Sequence, residues 1–453
     1  MLKFYNTLGR KKQEFRSIKK GQVTMYTCGP TVYWLQHIGN MRAYVFADVL
    51  KRVLMFNDYR VKHVINITDV GHLTSDADTG EDKIEKAAKK EGKSAQDIAE
   101  YYFKIFHEDL GKLNVIDPAV WCKATEYIKE QIALVKRLEE KGFTYKTSDG
   151  IYFDTSKLKN YGELARLNVE NLKAGARVEI GQKKNKTDFA LWKFSEEQGV
   201  RQQEWDSPWG LGFPGWHIEC SAMAMKNLGE TIDIHTGGED HIGVHHTNEI
   251  AQSEAATGKK FCNFWMHVAF LTFKGEKVSK SKGGLFTLSE LEEKGFRPLD
   301  YRYFCLTAKY RSKLDFSLEN LENMKNTYTR LKNIIDGLDD DKKVNENYLK
   351  EFTSSVNDDL DTPKALAVLW KMLRDTDADG KIGAIKKMDS VLGLGLLKKE
   401  EVKVPKEIMN MVDEREKARA DKDFERADVL RDKITKKGFV LEDSKEGVKV
   451  KKA

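Results

Sequence analysis

Four residues with metal-binding side chains stand far apart in the chain: Cys28, Cys220, His245 and Glu249. Cys28 closes the run Val23-Thr24-Met25-Tyr26-Thr27, and Cys220 lies in Gly215-Trp216-His217-Ile218-Glu219-Cys220-Ser221-Ala222-Met223. His245 and Glu249 are four apart, so a helix presents both on one face and can aim both at one ion. Two thiolates, an imidazole and a carboxylate suit tetrahedral zinc. On residue type alone His217 and His246 compete for the histidine place. Cys122, Cys262 and Cys305 are assigned to packing, because a lone buried cysteine behaves as a small hydrophobe.

Two further motifs suit a nucleotide. His37-Ile38-Gly39-Asn40 immediately precedes an expected helix, whose unpaired N–H groups and dipole favour phosphate. Gly39 lets the backbone approach a nucleotide closely. Asn40 donates a hydrogen bond but never becomes a cation. Downstream, Lys277-Val278-Ser279-Lys280-Ser281-Lys282-Gly283-Gly284 reads as a mobile cationic loop. Such a loop can close over a triphosphate and stabilise charge developing on the α-phosphate and pyrophosphate.

The elements that must position these residues are legible from periodicity. Val23 to Cys28 alternates like a strand and stops at Gly29-Pro30. Met41 to Met55 has apolar residues at helical spacing, and Val61 to Thr68 is strand-like again. Strand, helix and strand make a βαβ unit with a parallel sheet. Ile232 to His235 predicts another strand, running into a glycine loop at Thr236-Gly237-Gly238, with a helix starting near Val244. Between these halves, Asp82 to Gly111 reads as charged helix, and residues 150–200 read as an inserted module containing Gly175-Ala176-Arg177 and Asp188-Phe189-Ala190-Leu191-Trp192. A helical bundle is expected from about Asn323 to Leu397, with Asp361 or Thr362 capping a helix that has Pro363 near its start. Lys398 to Lys403 reads as a solvated linker before a tail with a charged helix around Glu414 to Lys436.

Composition narrows the class without choosing it. A formal charge of +6 on 453 residues permits contact with a polyanion but does not demand it. Met1 to Asn6 lacks the apolar core of a signal peptide, and no run approaches the ~20 apolar residues of a membrane helix. Five scattered cysteines with no CxxC pair do not make a disulfide framework. A cytoplasmic protein without membrane contact is expected.

The His-Ile-Gly-Asn and lysine-rich elements resemble the two ATP motifs of class I aminoacyl-tRNA synthetases, with Asn40 where His is usual and Val278 where Met is usual. Within that class the chain is similar to the cysteinyl-tRNA synthetase family over nearly its whole length. The likeness runs through Tyr26-Thr27-Cys28-Gly29-Pro30-Thr31-Val32-Tyr33, Asn66-Ile67-Thr68-Asp69, the Gly215–Cys220 motif, His245 to Ser253 and Trp265-Met266-His267. It implies an α/β Rossmann-type catalytic domain with an insertion, then a helical bundle and a small anticodon-binding domain. The corresponding segments are 1–120 with 205–258, 121–204 inserted, 259–320 carrying the lysine loop, 321–400 and 401–453. It implies Cys28, Cys220, His245 and Glu249 as the ligands of one zinc ion, and Gly29, Thr68 and Trp216 around the cysteine. His37, Gly39, Asn40, Gly237, Gly238, Asp240 and Lys280 would meet ATP and its Mg2+, with His37, Asn40, Lys277 and Lys280 serving the chemistry. The implied partners are L-cysteine, ATP and tRNA(Cys), and the implied oligomeric state is a monomer. Thr236 begins the family's glycine run, Thr247 stands where an acidic residue is usual, and Gly71 to Gly80 is longer than in many members. Two rivals share these features: a cysteine ligase that acylates an amino sugar, and a non-catalytic RNA-binding paralogue. The tail beyond residue 401 disfavours the first, and the presence of both ATP motifs and all four ligands disfavours the second.

Overall fold

In the computed structural model, residues 1–70, 73–75, 79–167, 182–195, 199–273, 275–277, 286–399, 405–444 and 447–452 are described. Gly175-Ala176-Arg177 and the loop from Val278 to Gly284, including Lys280, lie outside them. Of the 71–80 segment, Leu73–Ser75 and Thr79–Asp82 pair as an antiparallel hairpin.

The alternating run after Gly21 forms β1 (Gln22–Thr27). Helix α1 (Ile38–Phe56) follows and buries Val45, Phe46, Val49, Leu50, Val53 and Leu54, each worth roughly 1.5–3 kcal/mol of burial. Strand β2 (Arg60–Ile67) then pairs parallel with β1, Val23 opposite Val61 and Thr27 opposite Ile65. The charged stretch after Asp82 forms two helices, α2 (Lys83–Glu91) and α3 (Ala95–Lys112). They are separated because Gly92 is left-handed at φ 65° and Ser94 starts a new capping box. Strand β3 (Val120–Lys123) adds to β2. After the inserted segment come α4 (Trp216–Leu228), β4 (Ile232–Gly238), α5 (His245–Thr257) and β5 (Cys262–Val268).

The five strands make one parallel sheet in the order β5-β4-β1-β2-β3. From the adjacent strands β1 and β4 the chain leaves in opposite directions, to β2 and to β5. A crevice therefore opens at their carboxyl ends, the place where such sheets bind ligands. β4 continues through Thr236, Gly237 and Gly238, where a glycine loop was expected, because β5 offers backbone partners: Gly237 lies opposite His267 and Gly238 opposite Val268. Two strands also run past the expected segment limits, β3 across 120/121 and β5 within 259–320.

The insertion contributes a helix, Ile128–Glu140, and the strands Phe189–Phe194, Gly150–Phe153 and Thr144–Lys146 of an antiparallel sheet whose fourth strand, Gly212–Pro214, lies past residue 204. Helix α6 (Pro298–Leu306) precedes the bundle α7 (Leu318–Asp336), α8 (Glu346–Asn357), α9 (Thr362–Arg374) and α10 (Lys381–Leu392). Asp361 caps α9 by accepting from Lys364 N–H, with Pro363 in the first turn. One core joins bundle to sheet, since Phe352, Leu369 and Met388 cluster with Val23, Met25 and Leu50. A buried ion triad pins the same junction. Asp48 on α1 meets Arg52 at 2.7 Å and Arg302 of α6 at 2.5 Å. Arg302 also donates to the Leu392 carbonyl at 2.8 Å, and a Cβ at Gly393 would fall 2.4 Å from its guanidinium.

The first compact unit comprises Met1–Leu396 and the second Leu397–Ala453. The second holds α11 (Lys406–Ala420), α12 (Phe424–Lys436) and a hairpin of Phe439–Ser444 with Gly447–Lys452. The single charged helix expected around 414–436 is broken at Lys422, φ 61°, after which Asp423 caps α12. Among the described residues no helix is long and apolar enough to cross a membrane.

Candidate active site

Cys28 follows β1 directly, and its N–H donates to the Thr236 carbonyl of β4 at 3.1 Å. Its sulfur is thereby fixed at the mouth of the crevice. Cys220 lies on α4, and His245 and Glu249 lie one turn apart on α5. These four offer ligand atoms all within 4.8 Å of one another, and all four are buried. His245 Nε2 is 3.1 Å from Glu249 Oε1, and the Cys28 sulfur is 3.8 Å from the same oxygen.

A second set overlaps the first: Cys28, His235, His246 and Glu249. His246 Nε2 is 3.2 Å from the Cys28 sulfur, while its Nδ1 meets His267 Nε2 at 2.7 Å. His267 Nδ1 in turn meets the Thr7 hydroxyl at 2.8 Å. His217, the other rival histidine, sits behind His245, with their Nδ1 atoms 3.0 Å apart. The sequence reading passed over His235, whose Nε2 is 2.9 Å from Glu249 Oε2. Its signal was a polar residue within an apolar central strand, which alternation reports only once the sheet's buried faces are known.

The electrostatics of the first set favour a cation. A hydrogen bond from Cys28, and the His245 ring, bring the Cys220 thiol down to about 6 against the effect of burial. Burial, then Cys220, pushes the Cys28 thiol well up, so the pair shares one proton held on Cys28. Burial alone would raise Glu249, yet His235 and His245 hold it well below the usual carboxylate range. Burial alone would lower His245, yet Glu249 and Cys220 lift it to about 10. Counting these four side chains alone, at neutral pH the Cys220 thiolate and the Glu249 carboxylate face the single His245 imidazolium, one negative charge in excess in a buried set. Such a charge is costly without a partner, and this donor set matches zinc.

The other predicted residues surround the cluster. Trp216 stacks on the His245 ring, centroids 4.4 Å apart at 24°. Gly29 N–H donates to Asn66 Oδ1 at 2.7 Å, and a Cβ there would overlap the Asn66 carbonyl at 1.5 Å. Thr68 accepts from Asn66 Nδ2 at 3.2 Å. A Cβ at Gly237 would meet the rings of His241 and His246 at 2.7 Å, and one at Gly238 would meet the Asp240 carboxylate at 2.3 Å. These contacts place Gly237, Gly238 and Asp240 at the carboxyl end of β4. A separate cavity of about 450 Å3, lined in part by Tyr161, Ile250, Glu254 and Lys260, contains none of the predicted site residues.

His37 and Asn40 form a capping box at the start of α1. Asn40 N–H donates to His37 Nδ1, and His37 N–H to Asn40 Oδ1, both at 3.3 Å. Gly39 leaves room for this, since a Cβ would lie 2.9 Å from the His37 ring. The same turn holds the far end of the lysine loop: Ile38 N–H donates to the Phe286 carbonyl at 2.8 Å, and His37 bridges to Thr287. Lys277 ends a short strand beside Thr272. Both flanks of the lysine loop are thus anchored, one of them on the His-Ile-Gly-Asn turn.

A family model described as "tRNA synthetases class I (C) catalytic domain" matches residues 14–326, and one described as "Cysteinyl-tRNA ligase anticodon binding domain" matches residues 402–450. The chain is 50% identical over 450 residues to a cysteine–tRNA ligase 1 of Burkholderia lata, covering 98% of this chain and 96% of that protein. It is 46% identical over 480 residues to a cysteine–tRNA ligase of Treponema denticola, covering 98% of each. The chain belongs to the cysteine–tRNA ligase family. Among solved structures, methionyl-tRNA synthetase of Mycobacterium tuberculosis in complex with methionyl-adenylate aligns with a TM-score of 0.58 at 14% identity, covering 82% of this chain and 88% of that one. That likeness shows the class I fold, whose parallel sheet is the one described above. Membership of the family accounts for the pairing of a class I catalytic segment with an anticodon-binding segment at the end of one chain.

Proposed function

We propose that the chain joins L-cysteine to tRNA(Cys) in two steps, with the cluster of Cys28, Cys220, His245 and Glu249 at the sheet's switch point holding one zinc ion. In the first step a carboxylate oxygen of cysteine attacks the α-phosphorus of ATP, pyrophosphate leaves, and cysteinyl-adenylate forms. In the second, a ribose hydroxyl of the tRNA's terminal adenosine attacks the carbonyl carbon and AMP leaves. The observation that carries the reading is the convergence of two thiols, a charged imidazole and a carboxylate in one buried cluster.

Zinc, when bound, supplies a thiolate-seeking site that a serine hydroxyl satisfies poorly. The protein does the rest by positioning. Trp216 holds the His245 ring by stacking, and His235 and His217 orient Glu249 and His245 as outer partners of the ligands. Gly29 and Thr68 form the adjoining wall for the amino acid. The start of α1 offers N–H groups and dipole to the phosphates, with His37 and Asn40 turning from their mutual cap toward ATP. Asp240 faces the ribose beside Gly237 and Gly238. Lys277 and Lys280 stabilise the charge that develops on the phosphates and on the leaving pyrophosphate, to which Mg2+ would add positive charge. The C-terminal segment reads the anticodon, supported by its match to that family of domains. Work on tRNA with reduced thiols belongs in the cytoplasm, and one chain, acting as a monomer, carries every proposed residue.

ATP–pyrophosphate exchange with cysteine and serine tests the activity. Cysteine should be favoured in kcat/KM by roughly 10⁴ or more, as for sites that bond a group the analogue lacks. Comparable rates with serine, or no exchange, would overturn the reading. His235→Ala separates the two ligand sets. As an outer partner His235 should cost about 10–100-fold in zinc affinity while leaving one zinc per chain at saturation. Loss of stoichiometric zinc would instead make it a ligand.

A further inference from the structure

Among the described residues three aromatic side chains are exposed: Trp34, Tyr101 and Phe424. Two of them share one patch. Trp34, 45% exposed, stacks on Tyr102 at 6.3 Å and 29°, and Tyr101, 50% exposed, sets its ring against Tyr102 at 5.1 Å and 78°. Lys90 Nζ lies 5.8 Å from the Trp34 ring, and Lys93 Nζ 4.9 Å from the Tyr101 ring. Leu35, 37% exposed, extends the apolar area. The patch therefore offers aromatic rings with ammonium groups lying over them, Lys93 also pairing with Glu91 at 3.0 Å.

Its place is as informative as its chemistry. In the chain Trp34 lies on the segment that joins Cys28, at the end of β1, to the His-Ile-Gly-Asn turn that starts α1. It stands three positions before His37, a reach of about 11 Å at most. That equals about three stacked nucleotides at roughly 3.4 Å each. Aromatic faces flanked by cations are the surface single-stranded nucleic acid uses, bases on rings and phosphates on lysines. A protein partner is a poorer fit, because lysine is depleted in the cores of such interfaces.

We infer that Trp34 and Tyr101, with Lys90 and Lys93, form a stacking platform for the unpaired 3′ nucleotides of the tRNA as they enter the active site. The inference rests on the ligase reading, which requires that strand to reach the adenylate. It adds a nucleic-acid contact to the first unit, distinct from the anticodon-binding segment.

The test compares the full-length protein with Trp34→Ala, Tyr101→Ala, the double variant and Trp34→Phe, using intact tRNA(Cys) and tRNA(Cys) trimmed of its unpaired 3′ nucleotides. The double variant should keep cysteine-dependent ATP–pyrophosphate exchange within about twofold and bind intact tRNA about 10- to 100-fold more weakly, the usual scale for lost base stacking. Trp34→Phe should recover most of that loss. Trimming should weaken binding to the parent protein and change little in the double variant. Equal losses on intact and trimmed tRNA, or unchanged tRNA affinity, would overturn the platform. So would a shift in oligomeric state with tRNA binding intact, which would make a second copy of the chain the occupant. Exchange by the parent protein reports on the ligase reading alone, and the trimmed–intact comparison reports on the platform alone.

Discussion

Cys220→Ala is expected to take the purified protein from about one zinc per chain to nearly none, and to cut cysteine-dependent exchange by more than the roughly 10–100-fold that losing an outer partner costs. The variant removes the donor already deprotonated near pH 7, with its thiol at about 6. Cys28, pushed well up, and His245, lifted to about 10, both keep their protons until metal displaces them. The parent site should therefore release two protons per zinc between about pH 7 and 9, and apparent affinity should rise by about two log units per pH unit. Below about pH 6 a third proton, on Cys220, joins the competition, so affinity falls more steeply as pH drops. Elemental analysis of the variant and chelator competition across pH check both statements. Full zinc retention by Cys220→Ala would move the ion to Cys28, His235, His246 and Glu249.

Asp48→Ala should be the most damaging single change to stability, about 3–5 kcal/mol. Asp48 is buried between Arg52 and Arg302, and the Arg302 guanidinium is itself fully buried. Removing the carboxylate strands two cations where water cannot solvate them. Burial already lowers the Arg302 guanidinium, and Asp48 opposes that shift. Asp48→Asn should cost less, because its amide oxygen still accepts a hydrogen bond. All eight tryptophans lie before residue 397, so urea unfolding followed by tryptophan fluorescence reports on the first unit without interference from the second. A loss below about 1 kcal/mol would show that the triad is replaceable by water or by repacking.

Much of this protein was legible in the chain because its determinants are local. The alternation of Val23 to Thr27, the helical spacing of Val45 to Leu54 and the cap at Asp361 depend on neighbours a few residues away, and each element formed as that spacing predicts. The four-residue step from His245 to Glu249 likewise put both on one face of α5. Breaks in helices were harder to see. A left-handed Lys422 divides the charged tail, and non-glycine residues rarely advertise that conformation. The order of the sheet was not local at all. Only the pairing of β4 beside β1 brings Cys28 to α4 and α5, and only that packing turns His246 toward His267 while setting His217 behind His245. His235 became a neighbour of Glu249 for the same reason, and the His37–Asn40 cap was anchored to Phe286 and Thr287 by a contact between distant segments. Residue types and short-range spacing set which chemistry the chain can perform and which elements carry it. Which side chains share an ion, a proton or a cap follows from long-range packing, because it depends on which elements touch and not on distance along the sequence.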